Sequence, residues 1–173
     1  MTDRYLILMR HAKSSWADNS IADFDRPLND RGGEAAPLMA RWLEKNSMVP
    51  DSILCSTALR AQQTANFVAS EWELPHLRID IATLYLASPN TILDAVKTFA
   101  PEASKALLVI GHNPGLEVLA SMLSGRGIVM PTAAIVVFRL RRASSWSIDL
   151  SESQTRLEYF MTPRELQPSI DHD

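Results

Sequence analysis

With one cysteine, Cys55, the chain has no second thiol for an intrachain disulfide, and one thiol with four histidines is too small a set for a Cys/His zinc cluster. No metal site and no cofactor are expected. Cys55 itself reads as a buried thiol in an apolar strand. Positive charge is also short: 17 Lys plus Arg stand against 20 Asp plus Glu, a net charge of −3. Such a chain has no overall positive field to gather nucleic acid, so any anion site must be built locally. Long apolar runs are missing as well. Tyr5 to Met9 falls far below the roughly 20 residues of a membrane span, and no signal-peptide cleavage pattern follows it. A cytoplasmic protein without membrane association is the expectation. There is no internal repeat and no low-complexity segment.

What remains is enough for one core. At 173 residues and 46% hydrophobic content, a single domain over residues 1–173 is expected, with a loose tail from Pro163. The uniformly apolar run Tyr5 to Met9 predicts a strand covered on both faces. Ala35, Leu38, Met39, Trp42 and Leu43 recur at helical spacing and predict a helix over about Gly33 to Lys45. Ser52 to Cys55 is a second strand, and Ala61, Ala65, Val68 and Trp72 mark a helix within Thr57 to Trp72. Ser88-Pro89 joins a capping hydroxyl to a first-turn proline, with Ile92, Leu93, Val96 and Phe99 as the buried face. Leu107 to Ile110 is the clearest inner strand. Asn113-Pro114 repeats the cap-plus-proline signal ahead of a stripe of Leu116, Leu119, Met122 and Leu123, and Gly125 ends that helix. Ala134 to Leu140 and Leu157 to Met161 are two later strands. Strands alternating with helices imply a three-layer α/β sandwich with a mostly parallel central sheet.

In such sheets the ligand site lies beyond the carboxyl ends of the strands, where loops and helix N-termini bring unpaired backbone N–H groups together. Arg10-His11, Ser56 to Arg60 and Gly111-His112-Asn113 each follow a strand and fall on that edge. Two guanidiniums and two imidazoles together make an anion site, and arginine forks match phosphate oxygens bidentately.

These residues also carry a resemblance. Arg10-His11 after an apolar first strand, Ser56-Thr-Ala-Leu-Arg60-Ala-Gln-Gln-Thr-Ala65, and Val109-Ile-Gly-His112-Asn-Pro114 together resemble the histidine phosphatase superfamily, also called phosphoglycerate-mutase-like. The match runs from about Arg4 to Leu140. The Arg10-His-Ala-Lys-Ser-Ser15 opening, the Asp25-Arg-Pro-Leu-Asn-Asp-Arg-Gly32 segment and the short length narrow it to SixA-type phosphohistidine phosphatases. The resemblance implies that His11 is a nucleophile that becomes phosphorylated, that Arg10 and Arg60 hold the phosphoryl oxygens, and that His112 is the second pocket histidine. Asn113 joins them as a substrate-binding residue. A neutral imidazole needs no added base to attack phosphorus, provided its other ring nitrogen keeps a proton, most simply by donating to a backbone carbonyl. Arg10, Arg60 and a protonated His112 would then stabilise the equatorial oxygens without metal. Inorganic phosphate or sulfate is expected in the same pocket.

Larger relatives carry a glutamate that protonates the leaving group, in a region that is short here. Glu73, Asp80, Asp94 and Glu102 lie in it, each at a position expected to be exposed. Asp18, Asp23 and Asp25, in the loop begun by His11, are better placed; Asp23 ranks first as donor and Asp25 as a brace for Arg26. Trp16 is a candidate for the pocket mouth and Thr132 for a hydroxyl donor. His76 and His172 are expected to be exposed. The expected substrate is a phosphorylated protein bearing phosphohistidine. The alternatives are a phosphomonoesterase acting on another phosphoprotein or a small metabolite, and a phosphate-binding module without turnover.

Overall fold

The computed structural model describes residues 2–72, 77–148 and 154–167. Its centre is a six-stranded sheet built from β1 (Arg4–Arg10), β2 (Ser52–Ser56), β3 (Leu77–Ile81), β4 (Ala106–Gly111), β5 (Ile135–Leu140) and β6 (Thr155–Met161). The order across the sheet is β3-β2-β4-β1-β5-β6. The β3-β2, β2-β4 and β4-β1 pairings are parallel, and the last two strands add antiparallel to β1.

Alternation along each inner strand divides the core in two, because successive side chains leave a strand on opposite faces. Leu6, Leu8, Leu54, Leu107, Val109, Val136 and Phe138 point to one side, where they pack with residues of α3 (Pro89–Phe99) and α4 (Gly115–Ser124). Ile7, Met9, Ile53, Cys55, Leu108, Ile110 and Val137 point to the other, against α1 (Asp30–Lys45) and α2 (Leu59–Ser70). This is the three-layer α/β architecture expected from the sequence. Cys55 is fully buried, and burial pushes its thiol pKa up to about 12.

The helix ends follow local chemistry. Asn29 caps α1 by accepting from Gly32 N, and Ser88 caps α3 by accepting from Thr91 N. Gly125, with φ 68°, closes α4 in the left-handed conformation that favours glycine. Three expectations are corrected. Met122 and Phe99 lie on the exposed sides of their helices, so the buried stripes are narrower than their hydropathy suggests. Asn113 does not cap α4: Pro114 occupies the N-cap after a cis peptide bond, and the Asn113 side chain is bonded elsewhere. The segment after Met161 is not loose through residue 167. The backbone N and hydroxyl of Thr162 both donate to Glu165 Oε2, at 2.9 and 2.8 Å, folding α5 (Pro163–Leu166). Glu73, His76 and His172 lie outside the described residues.

Candidate functional site

Because β1, β2 and β4 run parallel side by side, their carboxyl ends deliver Arg10, Ser56 and Gly111 to one edge of the sheet. His11 N continues the ladder by donating to Gly111 O at 3.0 Å, which brings the residues after β1 and β4 together. Arg60 enters from the first turn of α2. The result is an open pocket of about 370 Å³ lined by Arg10, His11, Asp23, Arg60, His112 and Asn113, with Trp16, Leu86 and Thr132 among its other walls.

Arg60 is the hub. Only 2% exposed, it donates from Nε to His11 Nε2 at 3.2 Å and from Nη2 to His112 Nδ1 at 3.3 Å. A guanidinium has no acceptor, so both imidazole nitrogens must offer lone pairs. The tautomers follow. His11 keeps its proton on Nδ1, which donates to Ala12 O at 2.7 Å, and Nε2 presents a lone pair to the pocket. His112 keeps its proton on Nε2, which donates to Ser56 Oγ at 2.7 Å. The two rings lie with centroids 5.2 Å apart.

Burial sets their charge. Desolvation, reinforced by His112, Arg60 and Arg10 and opposed by the Ala12 carbonyl, pulls the His11 pKa down to about 3. Burial, then Arg60, pulls His112 down to about 4, with Asp23 opposing. The expectation of a protonated His112 is therefore corrected: a 2% exposed ring beside a guanidinium is neutral at pH 7. Arg10 donates from Nη1 to Met130 O at 3.0 Å, and its buried Nε has no hydrogen-bond partner among the described residues. Burial lowers its pKa too, against the raising effect of Glu117.

Asp23 spans the arginines. Its Oδ1 accepts from Arg26 Nη2 at 2.8 Å, and its Oδ2 from Arg60 Nη2 at 3.1 Å and from Tyr85 Oη at 2.6 Å. Its backbone carbonyl accepts from Arg60 Nη1 at 2.6 Å. The Tyr85 hydroxyl first, then Arg26 and Arg60, hold the carboxyl well below the usual carboxylate range. In this pocket Asp23 is an ionised clamp, so the donor role for which it ranks first would require it to take up a proton against Tyr85, Arg26 and Arg60. Asp25 does not brace Arg26, because Asp23 takes that role at i,i+3. Asp18 bonds Ser20 in the exposed loop and is not among the pocket walls. Asn113 lines the pocket, but its amide donates to Met130 O at 2.9 Å and to Glu117 Oε2 at 3.2 Å. Its Oδ1 is buried with no hydrogen-bond partner among the described residues. Trp16 does stand at the mouth, 68% exposed, with the Arg26 guanidinium 3.5 Å from its ring centroid.

Sequence reasoning gave no role to Tyr85, Ser56 or Thr64. Tyr85 follows β3 on the same sheet edge, and its place there was hidden because the sequence pattern gave that strand no bounds. Thr64 Oγ1 accepts from Ala12 N at 3.0 Å and donates to Arg60 O at 2.7 Å, joining the His11 loop to α2. Among the described residues, no three His, Cys, Asp or Glu side chains gather as a metal-ligand set, and no helix is long and apolar enough to cross a membrane.

A pocket with a lone-pair imidazole between two arginines agrees with what comparison finds. An uncharacterised protein of Mycobacterium tuberculosis is 37% identical over 172 residues, spanning 90% of this chain and 100% of its own. Phosphohistidine phosphatase SixA of Escherichia coli is 29% identical over 110 residues, spanning 63% of this chain and 67% of that one. A candidate phosphohistidine phosphatase SixA from Agrobacterium tumefaciens superposes with a TM-score of 0.78 at 26% identity, over 92% of this chain and 98% of that one. A sequence profile of the histidine phosphatase superfamily (branch 1) matches residues 6–81. The chain belongs to that superfamily.

Proposed function

We propose that this chain hydrolyses phosphohistidine on a protein through a covalent phospho-His11 intermediate. The observation that carries this reading is the locked His11 ring, with Nδ1–H on the Ala12 carbonyl and the Nε2 lone pair in the pocket beside Arg60. In the first step Nε2 attacks phosphorus, and the bond from phosphorus to the substrate nitrogen breaks, its electron pair leaving with the substrate imidazole. In the second, water attacks phosphorus and the bond to His11 Nε2 breaks, giving inorganic phosphate and neutral His11. The substrate ring, protonated from solvent on its other nitrogen before the first step, leaves as a neutral imidazole, and the attacking water returns a proton to solvent in the second. Arg10 and Arg60 stabilise the equatorial oxygens, and the buried, unpartnered Nε of Arg10 is a donor ready for one of them. A bound dianion also opposes the arginine charge that adds to burial in depressing both histidines, favouring a proton on His112 once substrate has arrived.

The test is to offer ³²P-phosphohistidine protein and quench in alkali, where phosphohistidine survives. Transient label on the chain, released as phosphate, is the expected result. Label that persists would mean a mutase-like transfer, and no label with no phosphate released would mean a binding module.

A further inference from the structure

Beside the anion pocket, and sharing Lys13 and Thr132 with it, lies a second open cavity of about 450 Å³, walled also by Arg31, Glu34, Arg164 and Gln167. Charge here runs against the chain as a whole. Three cations meet one carboxylate, in a protein of net charge −3. Lys13, Arg31 and Arg164 have no ion-pair partner among the described residues, although Glu34 stands on the same wall. Positive charge left unpaired on one wall beside an anion pocket is a field available to a ligand.

The walls of this groove are tied to the backbone of His11. Lys13 stands two residues beyond it, and its carbonyl accepts from Asn29 N at 2.9 Å. The first turn of α1, which carries Arg31, comes so close that a Cβ on Gly32 would meet Lys13 O at 2.2 Å. On the other side Ala133 N donates to the carbonyls of Arg10 and His11, both at 3.1 Å, and so holds Thr132 beside them. Arg164 sits on the turn that Thr162 and Glu165 close. A group lying in the groove is thereby registered against the nucleophile.

We infer that this groove is a subsite for acidic side chains neighbouring the phosphorylated residue of a protein substrate. The inference rests on the protein-phosphatase reading above and names the class of protein that reading requires. Three cations spread over α1, the loop after β1 and α5 match several carboxylates on an extended segment better than one compact anion. Recognition of acidic segments by clustered arginine is a recurring mode. Each exposed pair contributes only about 1.5- to 5-fold in affinity, so the effect is a summed one and is sensitive to salt.

The test compares two phosphohistidine peptides of equal length, one with Asp and Glu flanking the phosphorylated residue and one with Ser and Gln. Wild type and the R31Q/R164Q double variant are assayed on both, with nitrophenyl phosphate as a control. The expected result is a KM about tenfold lower for the acidic peptide in wild type. That advantage disappears in the double variant and in high salt, while kcat/KM for nitrophenyl phosphate is the same in both proteins. Equal KM values for the two peptides, or a preference that survives R31Q/R164Q, would overturn the subsite and leave the phosphatase reading standing. So would a small bisphosphate ester that takes the whole advantage in place of the acidic peptide. Absence of turnover on all three substrates removes the phosphatase reading, and the subsite falls with it.

Discussion

Arg60 Nε donates to His11 Nε2 across 3.2 Å. A permanent cation thus solvates the lone pair that the proposed chemistry uses, and a second proton on the ring would have to face it. The same contact orients the ring toward α2 while Ala12 fixes its opposite side. In the proposed reaction, substrate phosphoryl oxygens would replace part of that contact, so that the arginine serves the imidazole first and the oxyanion afterwards.

His11→Ala is expected to abolish covalent labelling and turnover. The variant should still fold, with a loss of about 1 to 3 kcal/mol because the buried Arg60 Nε is left without its acceptor. Urea unfolding measures that cost, and labelling retained in the variant would exclude His11 as the nucleophile.

Arg10→Ala and Arg60→Ala should each lower kcat/KM at least about a hundredfold, by analogy with the loss of one donor from an oxyanion site at roughly 3 kcal/mol. Treatment with EDTA should leave the wild-type rate unchanged. If chelation stops turnover and a divalent ion restores it, the arginines are not the principal charge stabilisers.

Stability should fall with acid over a window set by the histidines. His11 and His112 have pKa values lowered to about 3 and about 4, against about 6.5 in the unfolded chain. Above pH 6.5 both states hold the rings neutral. Below it the unfolded chain takes up protons that the folded one refuses, so stability drops as pH falls toward 4. The loss is on the order of 3 kcal/mol for His112 alone. Urea midpoints at pH 7, 5.5 and 4 would show this, and inorganic phosphate in the pocket should soften the fall. A flat profile would mean the rings are not buried as neutral groups.

Thr64→Val keeps the shape of the side chain and removes the hydroxyl between Ala12 N and Arg60 O. Leaving the Ala12 N–H without its acceptor at this fully buried site should cost about 1 to 3 kcal/mol in stability. Turnover should fall more steeply than substrate affinity, because the hydroxyl ties the His11 loop to the helix that carries Arg60. A kcat unchanged within twofold would assign Thr64 to packing alone.

Every strand but β3, and every helix but the short α5, was legible because each is a short pattern with its own period and its own punctuation, as in Leu107 to Ile110 or Ser88-Pro89. The gathering of Arg10, His11, Arg60 and His112 was legible because parallel strands share a carboxyl edge. What escaped depended on side-chain partners distant in sequence. Asp23 pairs with Arg26 beside it but also with Arg60 and with Tyr85, 62 residues away. No local pattern reveals that a loop acid will be clamped between two arginines. Asn113 failed as a cap because Pro114 takes the N-cap position, and the Asn113 NH2 group turns to Glu117 and to Met130, 17 residues away.

The clamped state of Asp23 turns into a statement about leaving groups. When phosphorus leaves a serine oxygen, the departing alkoxide is a strong base, and a general acid is typically worth about 10² to 10⁴-fold. A phosphohistidine ring already protonated on its other nitrogen leaves as a neutral imidazole, whose conjugate acid has a pKa of only about 6.5, so a dedicated protein acid matters far less. With Asp23 held ionised by Tyr85, Arg26 and Arg60, this pocket suits P–N bonds and acidic leaving groups such as nitrophenol better than alkyl phosphates. Wild type should therefore hydrolyse phosphohistidine and nitrophenyl phosphate well ahead of phosphoserine. Asp23→Asn removes a negative charge from beside Arg60 while keeping an acceptor for Tyr85. Vanadate, which can resemble the five-coordinate transition state, should then inhibit several-fold more tightly. Turnover of the three substrates should change by one common factor, because no proton is being withdrawn from the reaction. A loss confined to phosphoserine would restore Asp23 as the proton donor, and a wild-type preference for phosphoserine would refute the leaving-group argument itself.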